Sequence, residues 1–269
     1  MLLNNKYHIE TLINSGAFGN VYLCSYKNKK YALKEELHNL ASKYEAKIYK
    51  EVKNLKNICL MHDCFIYSNK FYLVLDYFDT DLTKFKSSYY ESCSNDGSSS
   101  YYVTIKNIIK TVILTLKELH NLGYVHRDMK PSNICLNSKF EPYIIDFGLS
   151  KKIIDNTHIN KKNINSVIGS LNFVSLNVIN LIEPSRRDDI EAIIYILIYL
   201  LMPEYYYLEY DTIDINEKKK VENISALLEL INIYEYVKII TMLKYIRKMT
   251  FTQTPNYEYI STSLFSNIF

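Results

Sequence analysis

The chain has 269 residues, 48% hydrophobic and 23% charged, enough apolar material to bury the core of one two-lobed domain or of two small ones. A formal net charge of +3 is too mild to make nucleic acid or an anionic membrane an expected partner. The five cysteines (Cys24, Cys59, Cys64, Cys93, Cys135) are scattered and lack CxxC spacing, so no disulfide framework or zinc site is indicated and a reducing, intracellular compartment is expected.

The N-terminus has no basic segment leading into an apolar core and a cleavage site, so no secretory signal is read. Tyr7 to Lys34 alternates as short β-like runs around Ile13-Asn14-Ser15-Gly16-Ala17-Phe18-Gly19-Asn20-Val21, a turn whose backbone N–H groups could close over phosphates. The chain holds only six glycines; Gly16 and Gly19 are in this turn, and Gly148 and Gly169 fall in two later motifs. Lys34 ends the strand-like Tyr31-Ala32-Leu33-Lys34; a solvated surface lysine is one reading, and on an interior strand face its ammonium would be costly to bury unless it met anions. In the helical segment Ala41 to Leu55 the expected partner is Glu45, with Glu36 and Glu51 as rivals. His62 to Tyr67 and Phe71 to Asp76 read as a hairpin, and Asp76-Tyr77-Phe78 as a connection between lobes. Ile13, Val21, Ala32, Leu75, Phe78, Cys135 and Ile145 can line a flat apolar slot of the kind that adenine needs.

Asp79 to Lys86 is expected as a short helix, and the serine-rich stretch after it (residues 87–102) as a mobile surface insert. Tyr102 to Leu122 is the clearest amphipathic helix, with Ile105, Ile108, Ile109, Val112, Ile113, Leu116 and Leu119 at helical spacing and Gly123 past its end. The apolar run Ile190 to Met202 is interrupted by Glu191, is shorter than the ~18 residues of a membrane span, and reads as a buried helix.

Between these helices lies the stretch that carries the chemistry: Tyr124 to Lys152, with His126-Arg127-Asp128, then Lys130 and Asn133, then Asp146-Phe147-Gly148. Phosphoryl transfer needs a carboxylate to orient a hydroxyl and accept its proton, oxygen ligands for a metal on the phosphates, and a fixed cation near the developing charge. Asp128, Asn133 with Asp146, and Lys130 are of the right types, in that order.

On these motifs the chain resembles a eukaryotic-type protein kinase. Within that superfamily it resembles the casein kinase 1 group most closely, on EAKIYK (45–50), YIIDFGLSKK (143–152), SRRDDIE (185–191) and MTFTQTPNYEYI (249–260). The vaccinia-related kinases, which usually depart from HRD and DFG, are the second choice. The resemblance implies an α+β, two-lobed fold: a small β-rich N-lobe with one main helix (1–76) and a larger, mostly helical C-lobe (77–269). It also implies a single catalytic domain, without the regulatory tail that many members carry after the position of Phe269.

The implied activity is transfer of the ATP γ-phosphate, with Mg2+, to Ser/Thr hydroxyls of protein substrates by a monomer. Lys34 would hold the phosphates with Glu45 orienting it, Asp128 and Lys130 would serve the transfer, and Asn133 and Asp146 would bind metal. Gly16, Gly19 and Asp76 would join the apolar set around the nucleotide, Asp189 would brace the catalytic loop, and Ser170 would touch Asp128 and Lys130. Activity without activation-segment phosphorylation is also expected. Two departures stand out: Asn14 replaces the first glycine of the loop, and Asn172 replaces an arginine that would receive acidic or phosphorylated substrates. The alternatives are a pseudokinase acting as a binding scaffold, and a small-molecule kinase, which would leave SRRDDIE unexplained.

Overall fold

The structure, a computed structural model, describes residues 2–16, 19–37, 40–92, 98–155, 157–203, 214–230 and 236–265. Six strands, β1 (Leu2–Leu3), β2 (Tyr7–Gly16), β3 (Gly19–Tyr26), β4 (Lys29–Leu37), β5 (Met61–Tyr67) and β6 (Lys70–Asp76), form one antiparallel sheet in the order β1-β2-β3-β4-β6-β5. Two of its hairpins turn on two residues each, Lys27-Asn28 and Ser68-Asn69, all four with φ between +46° and +60°. That left-handed pair is what a type I′ turn requires, and asparagine takes the place where glycine is more usual. One face carries a small separate core in which Tyr7 stacks on Phe65 and Phe65 on Tyr72 (ring centroids 5.8 and 5.3 Å apart), beside Leu33 and Val74. Helix α1 (Leu40–Val52) instead sends Ala46, Ile48, Tyr49 and Val52 into the main core, which continues into the helical half.

That half contains α2 (Leu82–Ser92), α3 (Ser98–Asn121), α4 (Leu176–Ile179), α5 (Arg186–Leu201), α6 (Ile215–Lys218), α7 (Val221–Leu230), α8 (Tyr236–Arg247) and α9 (Tyr257–Phe265). Short strands frame its loops: β7 (Thr80–Asp81), β9 (Ile134–Leu136) and β10 (Pro142–Ile144) form one sheet, and β8 (Tyr124–Val125) pairs with β11 (Lys151–Lys152). The fold is α+β and two-lobed, with a curled sheet against a helical body, as the motifs imply.

Residues 87–102, expected as a mobile insert, lie in helix wherever the structure describes them. Ser87–Ser92 complete α2 and Ser98–Tyr102 open α3, while 93–97, including Cys93, lie outside the described residues. The serine-rich composition hid the aromatic contacts that hold these turns. Tyr101 stacks on Tyr89 at 3.8 Å and on Phe85 at 5.5 Å, and its hydroxyl donates to the Leu200 carbonyl at 2.9 Å.

Helix α5 begins at Arg186, ahead of the expected Ile190, because Asp188 caps it: one carboxylate oxygen accepts from the Ser185 N–H (2.7 Å) and hydroxyl (3.1 Å). Arg186 and Arg187 donate to the carbonyls of Thr252 and Met249, which ties the SRRDD motif to the terminal one. Glu191, the polar break in the run, is fully buried and paired with Arg247 Nε at 3.0 Å and the Tyr195 hydroxyl at 2.6 Å. Among the described residues no helix is long and apolar enough to cross a membrane.

All seven apolar positions read from the α3 pattern are buried. Leu116→Ala in this core should lower unfolding free energy by about 2–5 kcal/mol, read as a lower urea midpoint at unchanged slope. A loss under about 1 kcal/mol would remove α3 from the core.

Candidate active site

The catalytic stretch is threaded through two backbone positions that ordinary residues avoid: Arg127 at φ +70° and Asp146 at φ +64°. Each is held by hydrogen bonds from elsewhere. Asp189, on the first turn of α5, accepts the His126 N–H (2.7 Å) and the Arg127 N–H (2.9 Å), and meets His120 Nε2 at 2.9 Å. His120 Nδ1 in turn faces the Tyr257 hydroxyl at 2.7 Å, so the terminal helix α9 also braces the loop. Burial opposes the charge on Asp189, but His120, His126 and the Arg127 N–H outweigh it and hold its pKa lowered. The Asp146 N–H donates to the Tyr49 hydroxyl at 3.1 Å. Next in sequence, Phe147 packs edge-on against the Tyr49 ring (4.9 Å) and against His126 (5.4 Å). Gly169 lets a further loop approach: at φ +98°, a Cβ there would stand 2.5 Å from the Arg127 carbonyl oxygen.

Lys34 lies mid-strand in β4, in register with Val21 and Leu73. Its ammonium is 2.9 and 2.8 Å from the two Glu45 oxygens, 2.9 Å from Asp146 Oδ1 and 2.8 Å from Glu36 Oε1. The rivals for the pairing are therefore divided: Glu36 shares the lysine with Glu45, whereas Glu51 accepts from the Tyr124 hydroxyl at 2.7 Å. Burial works against the charge on Lys34, but Glu45, Asp146 and Glu36 outweigh it and raise its pKa. Asp146 is lowered, Lys34 outweighing burial. Glu45 goes the other way, pushed up to about 8 by burial and by Asp146 and Glu36 in spite of Lys34, because one ammonium is shared among three carboxylates.

Asp128 lies between two donors: the Ser170 hydroxyl at 2.9 Å on one oxygen and Lys130 Nζ at 3.0 Å on the other. Asn133 donates its amide to the Asp128 carbonyl (2.9 Å) and carboxylate (3.2 Å). Beside this loop, Arg127 is taken up by the Leu149 carbonyl (2.6 Å) and by the buried Glu183 (3.1 Å), which also meets Lys151 at 2.8 Å.

A cleft of about 450 Å³ runs between the sheet and the helical body, within the range of small-molecule sites. Ile13, Gly16, Gly19, Val21, Ala32 and Lys34 line it from β2 to β4. Leu75, Asp76 and Phe78 line the connection, Cys135 and Ile145 the apolar floor, and Lys130, Asn133 and Asp146 the polar end. Every residue expected at the nucleotide is on this surface, with Glu45 touching Lys34 and Asp128 touching Lys130 and Asn133. The Asp76 carboxylate is occupied by His62 (2.7 Å) and the Leu60 N–H (3.1 Å). Burial pushes the Cys135 thiol up to about 12, in keeping with an apolar floor. The tip of the glycine turn, 17–18, lies outside the described residues.

Sequence reasoning missed Tyr49, Cys59, Tyr77, Thr80, Asp81, Lys84 and Ser132 in the cleft, and gave Glu36 only as a rival. Asp81 could have been found: its carboxylate caps α2 on the N–H groups of Thr83 (2.7 Å) and Lys84 (3.0 Å), a readable N-cap signal.

The residues fit a divalent metal on phosphates. Asn133 spends its amide nitrogen on Asp128, which leaves its carbonyl oxygen for a metal, and Asp146 engages Lys34 and the Gly148 N–H through one oxygen. Among the described residues no three His, Cys, Asp or Glu side chains form a metal cage, so phosphate oxygens and water would complete the coordination.

This is the fold and the charge arrangement of a phosphoryl-transfer enzyme. The protein kinase domain family matches residues 7–258, and the chain belongs to that family, whose fold uses ATP and a divalent metal. It is also similar to a probable casein kinase I homolog of Encephalitozoon cuniculi (strain GB-M1), with 29% identity over 283 aligned positions covering 98% of this chain and 85% of that protein. The resemblance drawn from the motifs agrees with both comparisons.

A carboxyl whose folded pKa lies above its unfolded value stabilises the fold fully below the unfolded value and loses that contribution as pH rises through the folded one. With Glu45 at about 8 against 4.5, the window runs from pH 4.5 to beyond 8. The metal-free protein should lose thermal stability across it, and Glu45→Gln should flatten that part of the profile. A profile unchanged by the substitution would contradict the assignment.

Proposed function

We propose that this chain is an active serine/threonine protein kinase of the casein kinase 1 type, moving the γ-phosphate of ATP to protein hydroxyls. The observation that supports it best is Asp128, a carboxylate between Ser170 and Lys130 at the polar end of the cleft, joined through Asn133 to the side that also holds Asp146 and Lys34. In this reading Asp128 orients the acceptor hydroxyl and takes its proton, while Lys130 holds the charge gathering on the transferred group. Lys34 holds the phosphates, oriented by Glu45. Asn133 and Asp146 supply hard oxygen ligands suited to Mg2+, which when bound would neutralise phosphate charge.

Two further points favour catalysis over a silent scaffold. Asn14 is a strand residue opposite Val21, so its replacement of a glycine asks for no left-handed backbone. Arg127 already has a carboxylate partner in Glu183, so the place that an activation-segment phosphate would take by pairing with arginine is filled from within. A small lobe of residues 1–76, a large lobe of 77–269, a monomeric state and an intracellular location complete the proposal.

With ATP and Mg2+ the protein should phosphorylate casein on serine and threonine. Asp128→Asn should lower kcat by at least about 100-fold while nucleotide affinity stays within about threefold, measured by radiolabel transfer and calorimetry. Nucleotide binding by the unsubstituted protein without transfer would support the scaffold instead. Phosphatase treatment should leave the rate unchanged; a rate restored only by an upstream kinase would overturn the self-sufficient activation segment.

A further inference from the structure

Glu36 is a buried carboxylate that the phosphoryl-transfer roles leave unused. Strand alternation puts it on the same face of β4 as Lys34 and Ala32, two residues along from the lysine. Its oxygen stands 2.8 Å from Lys34 Nζ, and both side chains are 9% exposed. A lysine ammonium has three N–H donors, and three carboxylates surround this one: Glu36 from its own strand, Glu45 from α1, and Asp146 from the turn after β10. Three carboxylates on one ammonium is a poor arrangement for stability, since buried like charges repel and one cation can neutralise only one of them. Neither Glu36 nor Glu45 lines the cleft, whereas Lys34 and Asp146 do, so the two glutamates lie behind the ammonium and the aspartate lies before it.

From this we infer that Glu36 is a second positioning carboxylate for Lys34, built into the lysine's own strand. Resting on the kinase reading above, the assignment says how the phosphate-binding lysine is kept in place. Asp146, the one of the three that lines the cleft, would be the partner to turn toward a metal, and Lys34 would then stay anchored at two points. The anchor on α1 is lost if that helix moves; the anchor on β4 travels with the lysine. Lys34 is thereby aimed into the cleft independently of where α1 sits.

Glu36→Gln keeps the shape and removes the charge, so folding is checked by thermal melting and the test is read on nucleotide handling. Glu36→Gln alone should weaken Mg·ATP affinity and raise KM for ATP about five- to tenfold, with KM for the protein substrate unchanged. Glu36→Gln with Glu45→Gln should lose more in kcat/KM for ATP than the product of the single losses, because each carboxylate covers for the other. In a Lys34→Met background Glu36→Gln should have no further effect on nucleotide affinity, an outcome that a purely structural role for Glu36 would not give. Affinity within twofold of the unsubstituted protein, or a double variant no worse than Glu45→Gln, would overturn the proposal. Since affinity is measured apart from transfer, absence of turnover in the unsubstituted protein would count against the kinase reading and leave this test standing.

Discussion

One buried ammonium holds the two halves of this molecule in register. Lys34 is fixed by β4, meets Glu45 from α1, and reaches Asp146 in the turn that follows β10, so a single charge ties together the sheet, its helix and that turn. Removing Lys34 would leave its carboxylates stranded out of water, which typically costs about 3–5 kcal/mol. The cleft therefore depends on this ammonium, and the same arrangement leaves Lys34 and Asp146 facing the place where phosphates and metal would add their own charges. Stability and readiness for ligand come from one arrangement.

A second buried carboxylate does for the loop what Lys34 does for the cleft. Asp189 fixes the backbone of His126 and Arg127, and its helix is anchored by two arginines on carbonyls of the 249–252 segment. Through His120 and Tyr257 the same carboxylate is reached by the terminal helix. Motifs far apart in sequence, at 126–128, 185–191 and 249–260, are thus one mechanical unit. Arg127, strained in its backbone, has its side chain held by Glu183 and by the Leu149 carbonyl.

What was legible beforehand was whatever depends on local spacing. The cleft-lining set, from Ile13 to Asp146, could be picked out from strand alternation and from motifs whose spacing resembles a known family's, and all of its members line one cleft. The α3 stripe was equally plain, since seven apolar positions at helical spacing have few other uses. Contacts between distant segments were legible only where the resemblance implied them, as for Asp189 on the loop and Ser170 on Asp128. The serine-rich stretch concealed the stacking of Tyr89 and Tyr101, which only a folded chain brings face to face. Glu36 was ranked below Glu45 as if one partner excluded the other, yet a buried ammonium with three donors can accept both. The bond from Arg187 to the Met249 carbonyl gives a physical reason for two motifs occurring together that spacing could not supply.

The central claim is that Lys34, Asp146 and Asn133 face one ligand from a shared cleft, and its most direct test is a crystal structure with Mg2+ and a non-hydrolysable ATP analogue. The account predicts phosphate oxygens on Lys34 in place of Asp146, Glu45 still in contact with the lysine, and the metal held by Asp146 and Asn133. An analogue bound away from Lys34, or a metal coordinated by other side chains, would contradict it.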